Sequence, residues 1–210
     1  RLITDRKVPA SDGSILALAG TRVELWIRTH RPVSSGRLEG LASGPVLLKP
    51  DGERGLQGSL VVERPGSYRF ALHDLEGGSW RSSQAYSVQL EPDGAPKVRL
   101  EQPARDRVVR RDEAVDLLFD AHDDFGLTRV QLVWRILGRG RGEQTKALWR
   151  TEAQGKKKHR QQLRWELAEL RLEPGEQIQL AIEAFDDDRV RGPKSGRSSA
   201  RTFKVFSETE

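Results

Sequence analysis

Two runs of carboxylates are the groups in this chain best equipped for chemistry. Asp123 and Asp124 are adjacent in "AHDDFGL" (121–127), and Asp186, Asp187 and Asp188 follow one another in "AFDDDRV" (184–190). A sixth acid, Asp93, lies in "EPDGAP" (91–96). Clustered carboxylates suit a hard cation, because calcium gathers about six to eight oxygens from carboxylates and backbone carbonyls. These six residues are therefore the candidate metal ligands. Paired carboxylates also hydrolyse glycosides when they stand ~5–9.5 Å apart across a cleft. The plainer role is structural. Aspartate starts a turn by accepting hydrogen bonds from nearby backbone amides, and Gly126 tolerates the unusual backbone a sharp corner needs. Arg189, Arg191 and Lys194 follow the triple acid closely and can neutralise it, and no Asp-x-Asp-x-Asp-Gly loop is present. Turn formation and ion pairing are the primary expectation, and a divalent cation is the second.

The densest basic run is "GKKKHR" (155–160), holding Lys156, Lys157, Lys158, His159 and Arg160. Between "KALWR" and "QQLRWEL" it reads as a solvated hairpin tip. It is the candidate contact for an anionic partner such as lipid headgroups, envelope polysaccharide or nucleic acid. Trp149 and Trp165 on the flanking strands are expected to point inward, which removes the stacking platform that single-stranded nucleic acid needs. Other chemistry is poorly supported. His30, His73, His122 and His159 lack metal-ligand spacing, no Gly-x-Ser-x-Gly elbow exists, and "GRGRG" (138–142) has no Lys-Ser/Thr ending for a phosphate loop. With no cysteine, disulfides and thiolate metal sites are excluded.

The elements that must position these groups alternate polar and apolar residues with period two. "TRVELWIR" (21–28), "SYRFALHD" (67–74), "AYSVQL" (85–90), "KVRL" (97–100), "AVDLLFDA" (114–121), "RVQLVWRI" (129–136), "QLRWEL" (162–167), "QIQLAIEAF" (177–185) and "RTFKVF" (201–206) all follow it. Such runs are half-buried strands, apolar inward and polar outward. Only "WELAELRLEP" (165–174) hints at a turn or two of helix. Short strands divided by Gly, Pro and Ser turns predict an all-β fold of stacked antiparallel sheets.

"EPDGAPKV" (91–98) interrupts the pattern with two prolines and divides the chain. The expected organisation is one sandwich over 1–92 (1–11 a lead-in), a stiff linker at 93–97, and a second sandwich over 98–210. The halves repeat: "ERPGSYRFALHD" aligns with "LEPGEQIQLAIEAFDD", and each half closes with a serine-bearing strand, "SSQAYSV" (82–88) and "SSARTFKV" (198–205). Two tandem immunoglobulin-like sandwiches is the economical reading. Tyr68, two residues before the core position Phe70, has the spacing of a corner tyrosine whose hydroxyl bonds back to the backbone; Ile178 is its expected counterpart in the second half. The B–C loop with Asp123 and Asp124 and the F–G loop with Asp186–Asp188 then share one end of the second sandwich, where Asp93 also enters.

The composition agrees with two small domains: 210 residues, 36% of them hydrophobic. The net charge of +5 comes from 36 basic against 31 acidic residues, a mixed surface with a mild preference for anions. No apolar run approaches the ~20 residues that span a bilayer. With no methionine anywhere, Arg1 is read as the start of an excised or processed segment.

The stretches "AHDDFGLTRVQLVWRI", "WELAELRLEPGEQIQLAIEAFDDDRVRGPKSGRSSARTFKV" and "YSVQLEPDGAPKVRLEQPARDRVV" resemble bacterial immunoglobulin-like modules. More specifically, over residues 18–207, they resemble large bacterial envelope proteins of domain-of-unknown-function family 4175. That resemblance implies an extracytoplasmic, periplasmic or cell-envelope region of a membrane-anchored protein, and it supplies no catalytic residues. The expected function is a non-catalytic spacer or interaction module, with a protein or envelope component as partner and no small-molecule substrate. A polyanion-binding module using 155–160 and a calcium-rigidified adhesion-type repeat are the alternatives.

Overall fold

The computed structural model describes residues 7–8, 11–140, 142–152 and 155–207. Strands dominate, and no described helix is long and apolar enough to cross a membrane. The chain divides between Pro92 and Asp93 into two compact units, each with its own core.

The first unit holds β1 (Ile15–Ala17), β2 (Thr21–Arg28), β3 (Val33–Glu39), β4 (Val46–Pro50), β5 (Gly55–Val62), β6 (Gly66–Asp74), β7 (Ser79–Arg81) and β8 (Tyr86–Leu90). One layer runs β1-β8-β6-β3-β4, with β1 parallel to β8 and β7 also paired to β6. The other layer is β5 with β2, joined to β4 only at Lys49↔Gln57 and Pro50↔Leu56. Leu38, Leu56, Val62, Tyr68 and Val88 fill the space between the layers. Two inward positions carry no side chain. A Cβ on Gly36 would lie 2.7 Å from Leu72 Cδ2 and 2.8 Å from Leu56 Cδ1, and one on Gly58 would lie 2.5 Å from Leu48 Cδ2. Leucines from neighbouring and facing strands occupy those places.

The second unit holds β9 (Lys97–Gln102), β10 (Arg107–Val109), β11 (Ala114–Leu137), β12 (Gln144–Arg150), β13 (Lys156–Glu166), a 3-10 turn (Leu167–Leu170), β14 (Gln177–Asp186), β15 (Ser195–Arg197) and β16 (Arg201–Val205). The helix hint at 165–174 reduces to that single 3-10 turn. The two strands expected at 114–121 and 129–136 are one strand of 24 residues. Its first half pairs with β9 and β13, and its second half with β12 and β14. β11 therefore passes from one layer to the other, and the register breaks between His122 and Leu127 mark the crossing. Phe119, Leu132, Trp165, Ile178, Leu180 and Phe203 form the core, with the Trp134 and Trp165 rings 5.7 Å apart.

Residues 93–97, expected as linker, pack on this second unit. Asp93 bonds Lys194, and the Pro96 carbonyl lies directly against Gly196, where a Cβ would have no room.

The two units share their wiring. β1 pairs parallel with β8 as β10 does with β16. Glu91 donates its amide to Ala17 O at 2.9 Å, and Phe206 donates its amide to Val109 O at 2.8 Å. Ser82 and Ser198, both buried, do the same work. Each donates its amide to the preceding strand (Phe70 O and Ile182 O), while its hydroxyl accepts the amide of that same residue at 3.0 Å. This pairing aligns Phe70 with Ile182, so Leu180 rather than Ile178 stands where Tyr68 does.

Candidate functional site

The corner in β11 is built by Asp123. Its Oδ2 accepts the amides of Phe125 and Gly126 at 2.9 and 2.7 Å, and Gly126 takes a φ of +124° that a side chain would resist. This bend lets one strand serve both layers. Burial pushes the Asp123 carboxyl up; the two amides oppose that rise, and the negative charges of Asp186 and Asp93 add to it. Asp124 is exposed and turned out of the corner.

Asp186 ends β14 beside this bend, and Thr128 in β11 donates its hydroxyl to the Asp186 carbonyl at 2.7 Å. The following loop is folded on its own acids. Asp186 Oδ1 accepts the amides of Asp188 and Lys194, and Asp188 Oδ1 accepts those of Val190 and Arg191. The other oxygens face one cation. Lys194 Nζ lies 2.7 Å from Asp186 Oδ2, 2.8 Å from Asp93 Oδ2 and 3.2 Å from Asp188 Oδ2. An ammonium has three donors, and three carboxylates take them here. Burial alone would lower the lysine's pKa, but the carboxylates of Asp186, Asp93 and Asp188 outweigh it and hold the pKa above the ordinary lysine value. Asp187 pairs instead with Arg189 at 2.8 Å.

Of the six candidate ligands, the structure thus gathers Asp93, Asp186 and Asp188 around one point, keeps Asp123 beside them, and sends Asp124 and Asp187 elsewhere. The cation at that point is the chain's own lysine. Among the described residues no group of three or more acids or histidines is arranged to hold a metal ion.

The basic run is placed differently from its expected position at a loop tip. Lys156 through Arg160 lie on β13, paired with β11 at Lys158↔His122, His159↔Ala121 and Arg160↔Asp120. Alternation splits the run. His159 turns inward, stacking on Trp149 at 4.7 Å and approaching the core residue Phe119. Lys158, Arg160 and Arg164 turn outward. Lys97 and Arg99 of β9, which sequence reading did not single out, are exposed on the same outer face, opposite His122 and Asp120. Register across three strands brings them to the run, and no local motif announces that. The serines were visible as a repeat, but their side-chain hydrogen bonds to the neighbouring strand were not.

Tyr68 is almost fully buried, and its hydroxyl donates to a backbone carbonyl at 2.6 Å. That acceptor is Gly13, 55 residues upstream, and not a group within its own corner. The tyrosine therefore pins the segment leading into β1. Burial pushes its pKa up to about 12, with smaller contributions from Tyr86 and Asp12.

Two shallow surface depressions, of about 420 and 280 Å³, are lined by Arg37, Glu39 and Leu47 and by Arg111, Asp112 and Arg171 respectively. Neither includes the acidic cluster.

No protein-family model matches the chain, and no curated protein matches it. Among solved structures it is similar to fibronectin(III)-like modules of Clostridium thermocellum CbhA, at 18% identity over 95% of this chain and 92% of that one, with a TM-score of 0.32. It is also similar to trypsin-activated alpha-2-macroglobulin from Escherichia coli, at 12% identity over 91% of this chain and 15% of that one, with a TM-score of 0.32. Strand pairing and the two cores, rather than these likenesses, define the class: an all-β protein of two tandem immunoglobulin-like sandwiches.

Proposed function

We propose that this chain is a non-catalytic spacer and interaction module of a bacterial envelope protein, of the kind its resemblance to domain-of-unknown-function family 4175 implies. In this reading it lies outside the cytoplasm as part of a membrane-anchored protein, and its partners are proteins or other envelope components. The observation that carries the non-catalytic reading is how the carboxylates are used. Asp123 is committed to backbone amides, and Asp93, Asp186 and Asp188 are committed to Lys194. A catalytic acid or metal ligand needs an oxygen facing a cleft, and the Oδ2 atoms of all four residues face the fold's own donors. What remains is a pair of filled sandwiches that set distance and present edges and faces.

Replacement tests this. An unrelated tandem sandwich of the same length, substituted within the parent gene, should preserve the parent's activity in the envelope if spacing is the role. Loss of activity with normal expression and localisation would instead assign a specific surface. Fractionation of the tagged parent checks the compartment, and a cytoplasmic location would overturn that part of the reading.

A further inference from the structure

We infer that the outer face of the β9-β11-β13 sheet is a binding surface for a linear acidic polysaccharide. Rows of the sheet follow from the register. Lys97, His122 and Lys158 form one row, and Arg99, Asp120 and Arg160 the next. Neighbours in a row stand about 4.8 Å apart, and successive outward residues on one strand about 6.7 Å apart. That the side chains share one face is shown directly: Arg160 on β13 reaches across β11 to Glu101 on β9 at 2.7 Å.

The acids on this face neutralise part of it. Glu101 takes Arg160, Glu166 lies 3.6 Å from Arg164, and Asp120 sits between two arginines. Among the described residues Lys97, Arg99, Lys156 and Lys158 make no ion pair. Lys97 and Lys158 flank His122 near the end of the sheet where β11 bends, whereas Lys156 lies beyond the register break, opposite Leu127, with its Nζ 6.0 Å from the Trp149 ring. No acid stands in the row of Lys97 and Lys158, whereas Arg99 shares its row with Asp120.

The chemistry of the face selects the occupant. Neither surface depression includes its residues, so it suits an extended polymer rather than a small molecule. Its one outward aromatic ring is the small imidazole of His122, with no Phe, Tyr or Trp beside it, which leaves little base stacking as a source of affinity for single-stranded nucleic acid. Leu118 is its one large apolar outward residue, too little to enter a bilayer. A polymer held by charge alone, with carboxylates repeating at sugar spacing, fits what is present. This surface goes beyond the spacer role, and its failure leaves that reading standing.

The test uses the full chain and polygalacturonate oligosaccharides, read by isothermal titration at low ionic strength. Wild type should bind, with affinity falling steeply as salt rises. Lys97→Glu with Lys158→Glu should weaken binding about tenfold or more and flatten the log–log salt slope by about one per cation lost. Lys157→Glu removes the same charge from the same run but on the alternate side of β13, and should stay within about twofold of wild type. Unchanged circular dichroism and melting temperature confirm that each variant folds. Absence of binding by wild type, or equal loss in Lys157→Glu, would overturn the proposal. So would tighter binding to double-stranded DNA or to phosphatidylglycerol vesicles, which would give the face to another class of polyanion.

Discussion

At the scale of single residues, Lys194 decides what the acidic loops are for. Its ammonium holds Asp93, Asp186 and Asp188 together, and the side chains of Asp186 and Asp188 are only 2% exposed. Lys194→Met keeps the length and removes the charge, leaving buried carboxylates facing one another. Breaking a buried pair costs about 3–5 kcal/mol. With the lysine side chain 31% exposed, about 2–4 kcal/mol is the expected loss, measured by urea unfolding of the second unit. The deficit should shrink in acid, where protonated carboxylates no longer repel. For the same reason millimolar calcium should leave the wild-type melting temperature unchanged, since the place of a cation is taken; an upward shift would mean the ammonium is displaced. Tyr68 gives a second residue-scale prediction. Its folded pKa of about 12 lies above the ordinary tyrosine value of about 10, so the neutral phenol is favoured by folding. Stability from this group is full below pH 10 and is lost as pH rises through 12. Tyr68→Phe loses the bond to Gly13, at about 1 kcal/mol near neutrality, and should abolish that part of the alkaline loss in a pH series of melting curves.

At the scale of elements, legibility tracked where the apolar side chains are. β2, β6, β8, β14 and β16 were readable to within a residue or so because each carries its own inward row. β3 and β5 were not, because Gly36 and Gly58 stand at inward positions that leucines of other strands fill, so the alternation has gaps. The acidic corner was readable as a turn, since Asp with a nearby Gly has a local mechanism. Its consequence was not, because continuity of β11 depends on partners in two different layers. Likewise the position of the basic run depended on β13 beginning at Lys156, which the charges disguised as a loop. The serines at the start of each closing segment show the element-scale logic most clearly. In the second unit, Ser198 supplies the acceptor that the Ile182 amide needs where β15 gives way to β16. Ser198→Ala leaves that buried amide without its partner and should cost about 1–3 kcal/mol in chemical denaturation. Ser198→Thr, which keeps the hydroxyl, should recover part of it.

At the scale of the whole molecule, the two cores have no residue in common, and each unit closes its own set of strand pairings. Cooperative unfolding follows shared burial, so the units should melt as separate transitions. The first core is smaller, has fewer buried residues and includes two glycine positions, so its transition should come at lower temperature. Single substitutions then become labels. A loss of about 1 kcal/mol moves the melting temperature of a 60–100-residue domain by roughly 4–8 °C. Tyr68→Phe should move only the lower transition by that amount in calorimetry, and Ser198→Ala only the upper. One joint transition displaced by both variants would show that the units unfold as a single body.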